Sequence, residues 1–431
     1  MTPAARLAAA IELLGAIDSS GRKPADAVAN DFFRARRFIG SGDRRAVSDR
    51  IWRVLRARRR LSWWIARAGG APTVRALVAA SLLFEGWTPD GVAQSFSGGR
   101  FGAAPLGAAE HAVLRSLAGH TIDAPDMPDP VRFEVPDWVL PLLAARFGRG
   151  LAAEMAATAE PAPLDLRVNT LKATRADAQA MLRAEGLESA PTPWSPWGLR
   201  IAARAAVTSG AAFQSGIVEI QDEGSQLVAA LVGARPEMRV ADWCAGAGGK
   251  TLALAMTMAN RGHIVACDVS AARLEGAIRR LRRAGVHNAE RHVLAPGDKW
   301  AKRREGTFDR VLVDAPCTGT GTWRRNPDAR MRLQPGDFAE LVAKQSAILD
   351  AAVRLVRTGG RLVYATCSLL AEENEAQVSA LLSRHPGFAV VPVRQAWTLD
   401  APCPCEGDFL LLTPLRHATD GFFAAVLERR A

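Results

Sequence analysis

The sequence predicts an α/β chain in three parts: a helical N-terminal domain, a small mixed segment, and a C-terminal doubly wound domain. Three observations carry this reading. From Met238 onward, short apolar runs alternate with amphipathic stretches, the pattern of strands and helices around a mostly parallel sheet. Residues 5–120 instead repeat apolar side chains at three- and four-residue steps, the period of helices. The length, 431 residues, suits two or three domains at roughly 150 residues each.

In the first part, expected over 1–125, Leu7, Ile11, Leu14 and Ile17 predict an amphipathic helix. Glu12 within it and the lack of a cleavage pattern argue against a secretory leader. Val47, Ile51, Val54, Leu55 and Leu61 predict a second long helical stretch, with breaks at Ser41-Gly42-Asp43 and Gly69-Gly70. Charge is concentrated here. The chain carries a net +11, and residues 1–120 hold 18 Lys/Arg against 9 Asp/Glu, so the remainder is nearly balanced. Such an excess points to a polyanionic partner. The run Arg50–Arg60 is then either a phosphate-binding ridge or a solvated face in a chain that prefers arginine, and these readings stand level. Only 6 of the 55 cations are lysines.

Pro125, Pro128, Pro130 and Pro136 predict a linker, opening a segment expected over 126–236. That segment mixes helical patterns at 142–147 and 176–185 with strand candidates at 164–168 and 199–201. The third part, 237–431, has strand candidates at 239–243, 264–268, 308–314 and 361–365, with helices expected over 250–258, 271–283 and 339–356. Right-handed crossovers would align the C-terminal ends of these strands along one ligand-binding edge. No apolar run reaches membrane-spanning length. The six cysteines show no disulfide spacing, and Cys403-Pro-Cys405 is too cramped for a zinc knuckle. The expectation is a cytoplasmic monomer with no metal site.

Three motifs lie at predicted strand ends. The first, Asp242-Trp243-Cys244-Ala245-Gly246-Ala247-Gly248-Gly249-Lys250-Thr251, is a glycine-rich turn opening a helix. A triphosphate-binding loop needs glycine where Cys244 stands. Both a dinucleotide and S-adenosylmethionine remain, because Asp268 ends the next strand where a carboxylate would hold ribose hydroxyls. The second motif is Asp314-Ala315-Pro316-Cys317-Thr318-Gly319-Thr320-Gly321, and the third is Tyr364-Ala365-Thr366-Cys367-Ser368. In a doubly wound sheet, two thiols and a carboxylate would converge beside the cofactor. A nicotinamide oxidoreductase gives those thiols no task. Attack on a pyrimidine does: a thiolate adding at C6 makes C5 nucleophilic, so that C5 can take a methyl group. An acid such as Asp314 could hold the N3 proton.

With these residues the sequence resembles the RNA cytosine-C5 methyltransferases of the Nop/Sun type. The three motifs carry the resemblance, together with Leu166–Lys172, Gln221–Gln226, Glu373-Asn374-Glu375 and Thr419–Phe423. It implies a Rossmann-like class I methyltransferase domain with S-adenosylmethionine as cofactor, preceded by a small α/β RNA-binding subdomain. Cys367 would be the nucleophile and Cys317 would help release the product. Cys244, Ala245, Gly246, Ala247, Gly248, Gly249 and Lys250 would wrap the cofactor. Asp268 would hold its ribose, Asp298 would meet its adenine, and Asp314 would face both cofactor and base. Ala247 departs from the proline many members carry there. The first 120 residues resemble, through Arg6–Leu14, Asn30–Phe33 and Asp43–Val47, the all-α NusB-like domain fused to the family's bacterial 16S ribosomal RNA enzyme. The substrate it implies is 16S rRNA, free or in an assembling small ribosomal subunit. Transfer RNA, 23S rRNA and a non-catalytic RNA-binding scaffold are the alternatives.

Overall fold

The helical periodicity of the N-terminal sequence is realised as α1 (Pro3–Ser19), α2 (Ala25–Ala35), α3 (Ser41–Arg56), α4 (Arg58–Arg67), α5 (Val74–Leu83), α6 (Pro89–Ser95) and α7 (Ala108–Leu117). The structure, a computed structural model, describes every residue except Ala203, Arg204, Pro296 and Ala431. Contacts divide the chain into one unit of Met1–Glu160 with Trp323–Leu333, and another of Pro161–Thr322 with Gln334–Ala431.

In the first unit, hydroxyl caps start the helices. Thr2, Thr73 and Thr88 accept hydrogen bonds from Ala5, Ala76 and Gly91, satisfying first-turn N–H groups that have no partner within the helix. The apolar stripes of α1, α3 and α5 supply the core, with Leu13, Leu14, Ile51, Val54, Leu77 and Val78 fully buried. Ala57 breaks the expected long basic helix between α3 and α4.

The arginine run does not form a ridge open to phosphate. Arg50 and Arg53 both pair with Glu85. Arg58 forks onto Asp18 at 2.6 and 2.7 Å, Arg59 reaches Asp137, and Arg60 pairs with Asp123 and Glu134. Arg56 donates to the carbonyl of Arg324 at 2.6 Å. Folding brings back acids from up to 78 residues away and neutralises these cations.

The proline-rich stretch read as a linker is packed structure instead. Met127, Glu134 and Val135 are buried. The Glu134 carboxylate accepts from the backbone N–H groups of Arg59 and Arg60, both at 2.9 Å, and so caps α4 from outside that helix. The segment Trp323–Leu333 belongs to the same unit. Asp328 accepts from the Ala25 N–H at 3.0 Å, which starts α2, and buried Arg330 donates to the Thr158 carbonyl.

The second unit holds two sheets. The smaller contains β1 (Leu164–Val168), β2 (Ala190–Pro191), β3 (Gly198–Ile201) and β4 (Val218–Ile220), antiparallel in the order β2-β3-β1-β4. The helix Arg175–Ala184 covers it through Ala178 and Leu182. The larger sheet contains β5 (Arg239–Asp242), β6 (His263–Asp268), β7 (Ala289–Val293), β8 (Phe308–Asp314), β9 (Val356–Thr366), β10 (Phe388–Val391), β11 (Leu410–Leu412) and β12 (Phe422–Arg429). Its order is β10-β12-β9-β8-β5-β6-β7, with β11 also paired to β12. Strands β5 to β9 run parallel, whereas β12 and β10 are antiparallel additions. The expected strands and crossover helices are present. Strands β7 and β10 to β12 were not foreseen: β7 is a polar edge strand, and β10 and β11 are short. The strand order reverses between β5 and β8, the switch point at which α/β sheets bind ligands.

Glu134→Ala is expected to destabilise the helical unit by about 3–5 kcal/mol, because it uncaps α4 and leaves buried Arg330 and Arg60 without that carboxylate. Urea unfolding measures this, and an unchanged midpoint would contradict it.

Candidate active site

Strand β5 ends at Asp242, and the chain turns through 243–248 into the helix Gly249–Thr257. The turn needs its glycines. Gly246 and Gly248 sit at φ +54° and +79°, and a Cβ on Gly248 would lie 3.1 Å from that of Ala277. Asp268, at the end of β6, pins the turn: its carboxylate accepts from the Gly246 N–H at 2.9 Å and the Ser270 N–H at 2.8 Å. The structure thus joins the glycine turn and Asp268 into one cradle.

Beneath the turn, Asp242 is fully buried. One carboxylate oxygen accepts from the Thr251 hydroxyl at 2.7 Å and the other has no partner. Burial, aided by the nearby charges of Asp314 and Asp268, raises its pKa to about 7 despite the Thr251 bond and Lys250. An unsatisfied carboxylate oxygen under a glycine turn at the switch point fits a polar ligand such as the cofactor's amino acid moiety.

Lys250 begins the helix and reaches Asp314, at the end of β8, at 2.6 Å. Burial disfavours the ammonium, but the charge and hydrogen bond of Asp314 more than offset it, so its pKa is raised. Cys367 is near enough to Lys250 to add to that rise.

The two motif cysteines meet. Cys317, just beyond β8, and Cys367, just beyond β9, have Sγ atoms 3.4 Å apart. Their loops are stitched together. Buried Glu373 accepts from both the N–H and the hydroxyl of Thr318, at 2.8 and 2.5 Å, and from Gln345, which also donates to the Pro316 carbonyl. Ser368 shares hydroxyl bonds with Thr318 and Thr320, and the Gly321 N–H donates to the Cys367 carbonyl. Gly321 also lies against Gly421, whose carbonyl oxygen would be 2.2 Å from any Cβ there. The hydrogen bond to Cys367 and burial, with the Glu373 charge, push the Cys317 thiol well above its ordinary pKa. Burial does the same to Cys244 in the glycine turn.

Asp298 does not join this cluster. It pairs with His292 at 2.5 Å and accepts from the Trp300 N–H at 2.8 Å; the His292 bond lowers its pKa. Among the described residues, nothing links its side chain to the glycine turn or to Asp268. Sequence reasoning quoted Asp242 and Glu373 but gave them no task. Their signals were an acid ending a strand before the glycine turn and an acid six residues after Cys367. Cys403 and Cys405 donate to backbone carbonyls, and no cluster of metal-binding side chains occurs among the described residues.

The chain is similar to several known proteins. A family model described as 16S rRNA methyltransferase RsmB/F matches residues 229–428, and one described as an RsmF/B-like ferredoxin-like domain matches residues 135–208. A probable ribosomal RNA small subunit methyltransferase B of Synechocystis is 34% identical over 303 residues, spanning 69% of this chain and 67% of the relative. Its counterpart in Bacillus subtilis is 31% identical over 329 residues, spanning 74% and 73%. The chain thus matches about two thirds of the length of such relatives. A methyltransferase homolog protein from Pyrococcus horikoshii shares the fold at TM-score 0.61 and 29% identity, over 71% of this chain and 100% of that one. The crystal structure of PH0851 covers 100% of this chain and 99% of its own at TM-score 0.79 and 24% identity, which speaks for fold alone.

The raised pKa of Asp242 predicts a pH signature. The folded protein holds this proton up to about pH 7, whereas an unfolded aspartate loses it near pH 4. Stability from this group therefore falls as pH rises from about 4 to about 7. Asp242→Asn should gain stability relative to the parent at pH 8 compared with pH 5. Melting temperatures at the two pH values test this, and parallel shifts would count against it.

Proposed function

The chain belongs to the RsmB/F family of 16S rRNA methyltransferases, and from that premise we propose that it methylates C5 of a cytosine in 16S rRNA through a covalent cysteine adduct. It is an S-adenosylmethionine-dependent RNA methyltransferase; the base, the atom and the adduct are the proposal. The observation that carries it is the pair of thiols 3.4 Å apart beside the Lys250–Asp314 ion pair. One thiol can add to a pyrimidine while the other stays within reach of the same ring.

The motifs that carry the two thiols support distinct roles. Cys367 stands in the Thr366-Cys367-Ser368 motif at the end of β9, the position of the nucleophile in the resemblance. Cys317 stands in the Pro316-Cys317 motif with its Sγ 3.4 Å from that of Cys367, within reach of the same adduct. Cys367 would attack C6 of a cytosine flipped out of its stack. Asp314 would hydrogen-bond the base edge at N3 and so favour electron flow to C5. Bound S-adenosylmethionine supplies an electrophilic methyl group. Cys317 would assist loss of the C5 proton and departure of Cys367. The glycine turn 244–250 and Asp268 would hold the cofactor's methionine and ribose ends. Asp298 would reach its adenine only by leaving His292. The helical N-terminal part and the small β1–β4 subdomain would dock the RNA.

Bisulfite mapping of 16S rRNA from cells with and without the gene tests the substrate. One cytosine should lose methylation, and an unchanged map would sink the assignment. For the roles of the thiols, Cys367→Ala should abolish covalent protein–RNA adducts and lower turnover at least a thousandfold. Cys317→Ala should instead accumulate the adduct, visible as a band shift on denaturing gels. Full activity in Cys367→Ala together with no adduct in Cys317→Ala would reverse the scheme.

A further inference from the structure

The arginines that might have formed an RNA ridge are occupied internally, so the question is which cations of the helical unit remain unspent. Arg37, Arg45 and Arg100 are exposed and meet no acid and no hydrogen-bond acceptor among the described residues. Arg37 lies in the turn between α2 and α3, Arg45 in the second turn of α3, and Arg100 in the loop between α6 and α7. Each loop also presents an aromatic ring to solvent. Phe38 is 77% exposed and Phe101 is 71% exposed, whereas their neighbours Phe32, Phe33 and Phe96 are buried.

The two loops share one end of the helical unit. Asp43, at the start of α3, accepts from the amino terminus at 2.9 Å and from Arg6 at 2.6 Å. Gly102, in the other loop, lies so close to α1 that a Cβ there would sit 3.4 Å from that of Ala4. The first turn of α3 and the loop between α6 and α7 therefore both meet the start of α1. Single exposed apolar residues are ordinary on protein surfaces. What distinguishes this end is that the most exposed rings of the unit lie beside arginines that meet no acid, Arg37 next to Phe38 in the chain and Arg100 over the Phe101 ring at 5.3 Å.

We propose that this end of the helical unit, centred on Phe38 and Phe101 with Arg37, Arg45 and Arg100, is a docking platform for single-stranded RNA. The inference rests on the RNA methyltransferase reading and adds the place and form of recognition. Guanidinium groups meet phosphates, and exposed rings offer faces on which unpaired bases stack. A duplex keeps its base faces inside its own stack, so it can use only the cations here. The platform thus favours an extended, unpaired segment over a helix of equal charge.

Fluorescence anisotropy on the full chain tests this, using a labelled unstructured RNA 12-mer and the corresponding duplex. The wild type should bind the single strand more tightly. Phe38→Ser with Phe101→Ser should weaken single-strand binding by roughly tenfold or more, with little effect on the duplex. Arg37→Gln with Arg45→Gln should weaken both and reduce the log–log salt slope by about 1.4. Arg53→Gln, which breaks only an internal pair with Glu85, should leave RNA affinity unchanged. Far-ultraviolet circular dichroism and urea unfolding of each variant report that the helical unit is folded. Wild-type affinity for the single strand in the double phenylalanine variant would overturn the platform while leaving the enzyme reading intact. Failure of the wild type to methylate rRNA would overturn that reading and remove the premise of the platform.

Discussion

The parallel pairing of β8 with β9 is the constraint on which the site depends. Neighbouring strands lie about 4.8 Å apart, so the loops leaving their C-terminal ends start side by side. Left to themselves, two such loops would splay into solvent. Here Glu373, Gln345 and Ser368 bind one loop to the other, and Gly321 packs on Gly421, just before β12, with no side chain between them. The result is two thiols in contact at the edge where β5 and β8 diverge. Everything chemical in the second unit is arranged around that edge: the glycine turn after β5, Asp268 after β6, and Lys250 reaching across to Asp314.

The electrostatics of the site follow from burial. Asp242, Asp314 and Asp268 crowd a small region, and a single ammonium, Lys250, stands against them. Three carboxylates near one cation would be costly for a purely structural core. The arrangement makes sense where a cationic ligand is expected, and S-adenosylmethionine carries positive charge at its sulfonium and amino groups. Polar contacts also join the small sheet to the surroundings of the large one. Arg167 donates to the carbonyl of Gly249 at 3.0 Å and Arg283 pairs with Glu219 at 2.6 Å, so the small sheet is tied directly to the glycine turn and its flanking helix.

Much of this was legible in the sequence, but unevenly. Strands β5, β6, β8 and β9 could be read because they are buried on both faces and therefore nearly continuous in apolar residues. Strand β7 could not, because its residues Ala289–Val293 face solvent on an edge and carry two charges. The proline-rich stretch after 125 looked like a linker because proline signals only the absence of regular structure. It says nothing about packing, and Val135 and Glu134 turn out to be buried. The arginine run looked like a ridge because a helix face shows its own charges and not those folded onto it.

The sequence by itself determined the composition of the site. Each motif is a contiguous run at a strand end, so local order places its candidate residues at one sheet edge: Cys244 to Lys250, Asp268, Asp314, Cys317 and Cys367. It also determined the fold class, since periodicity is local. Only the tertiary structure decided the pairings. The contact of Cys317 with Cys367 spans 50 residues, the Lys250–Asp314 pair 64, and the capture of Arg60 by Glu134 74. Which thiols meet, and which arginines find an acid, depends on groups distant in the chain. Electrostatic partners act through space, and local sequence carries no record of them.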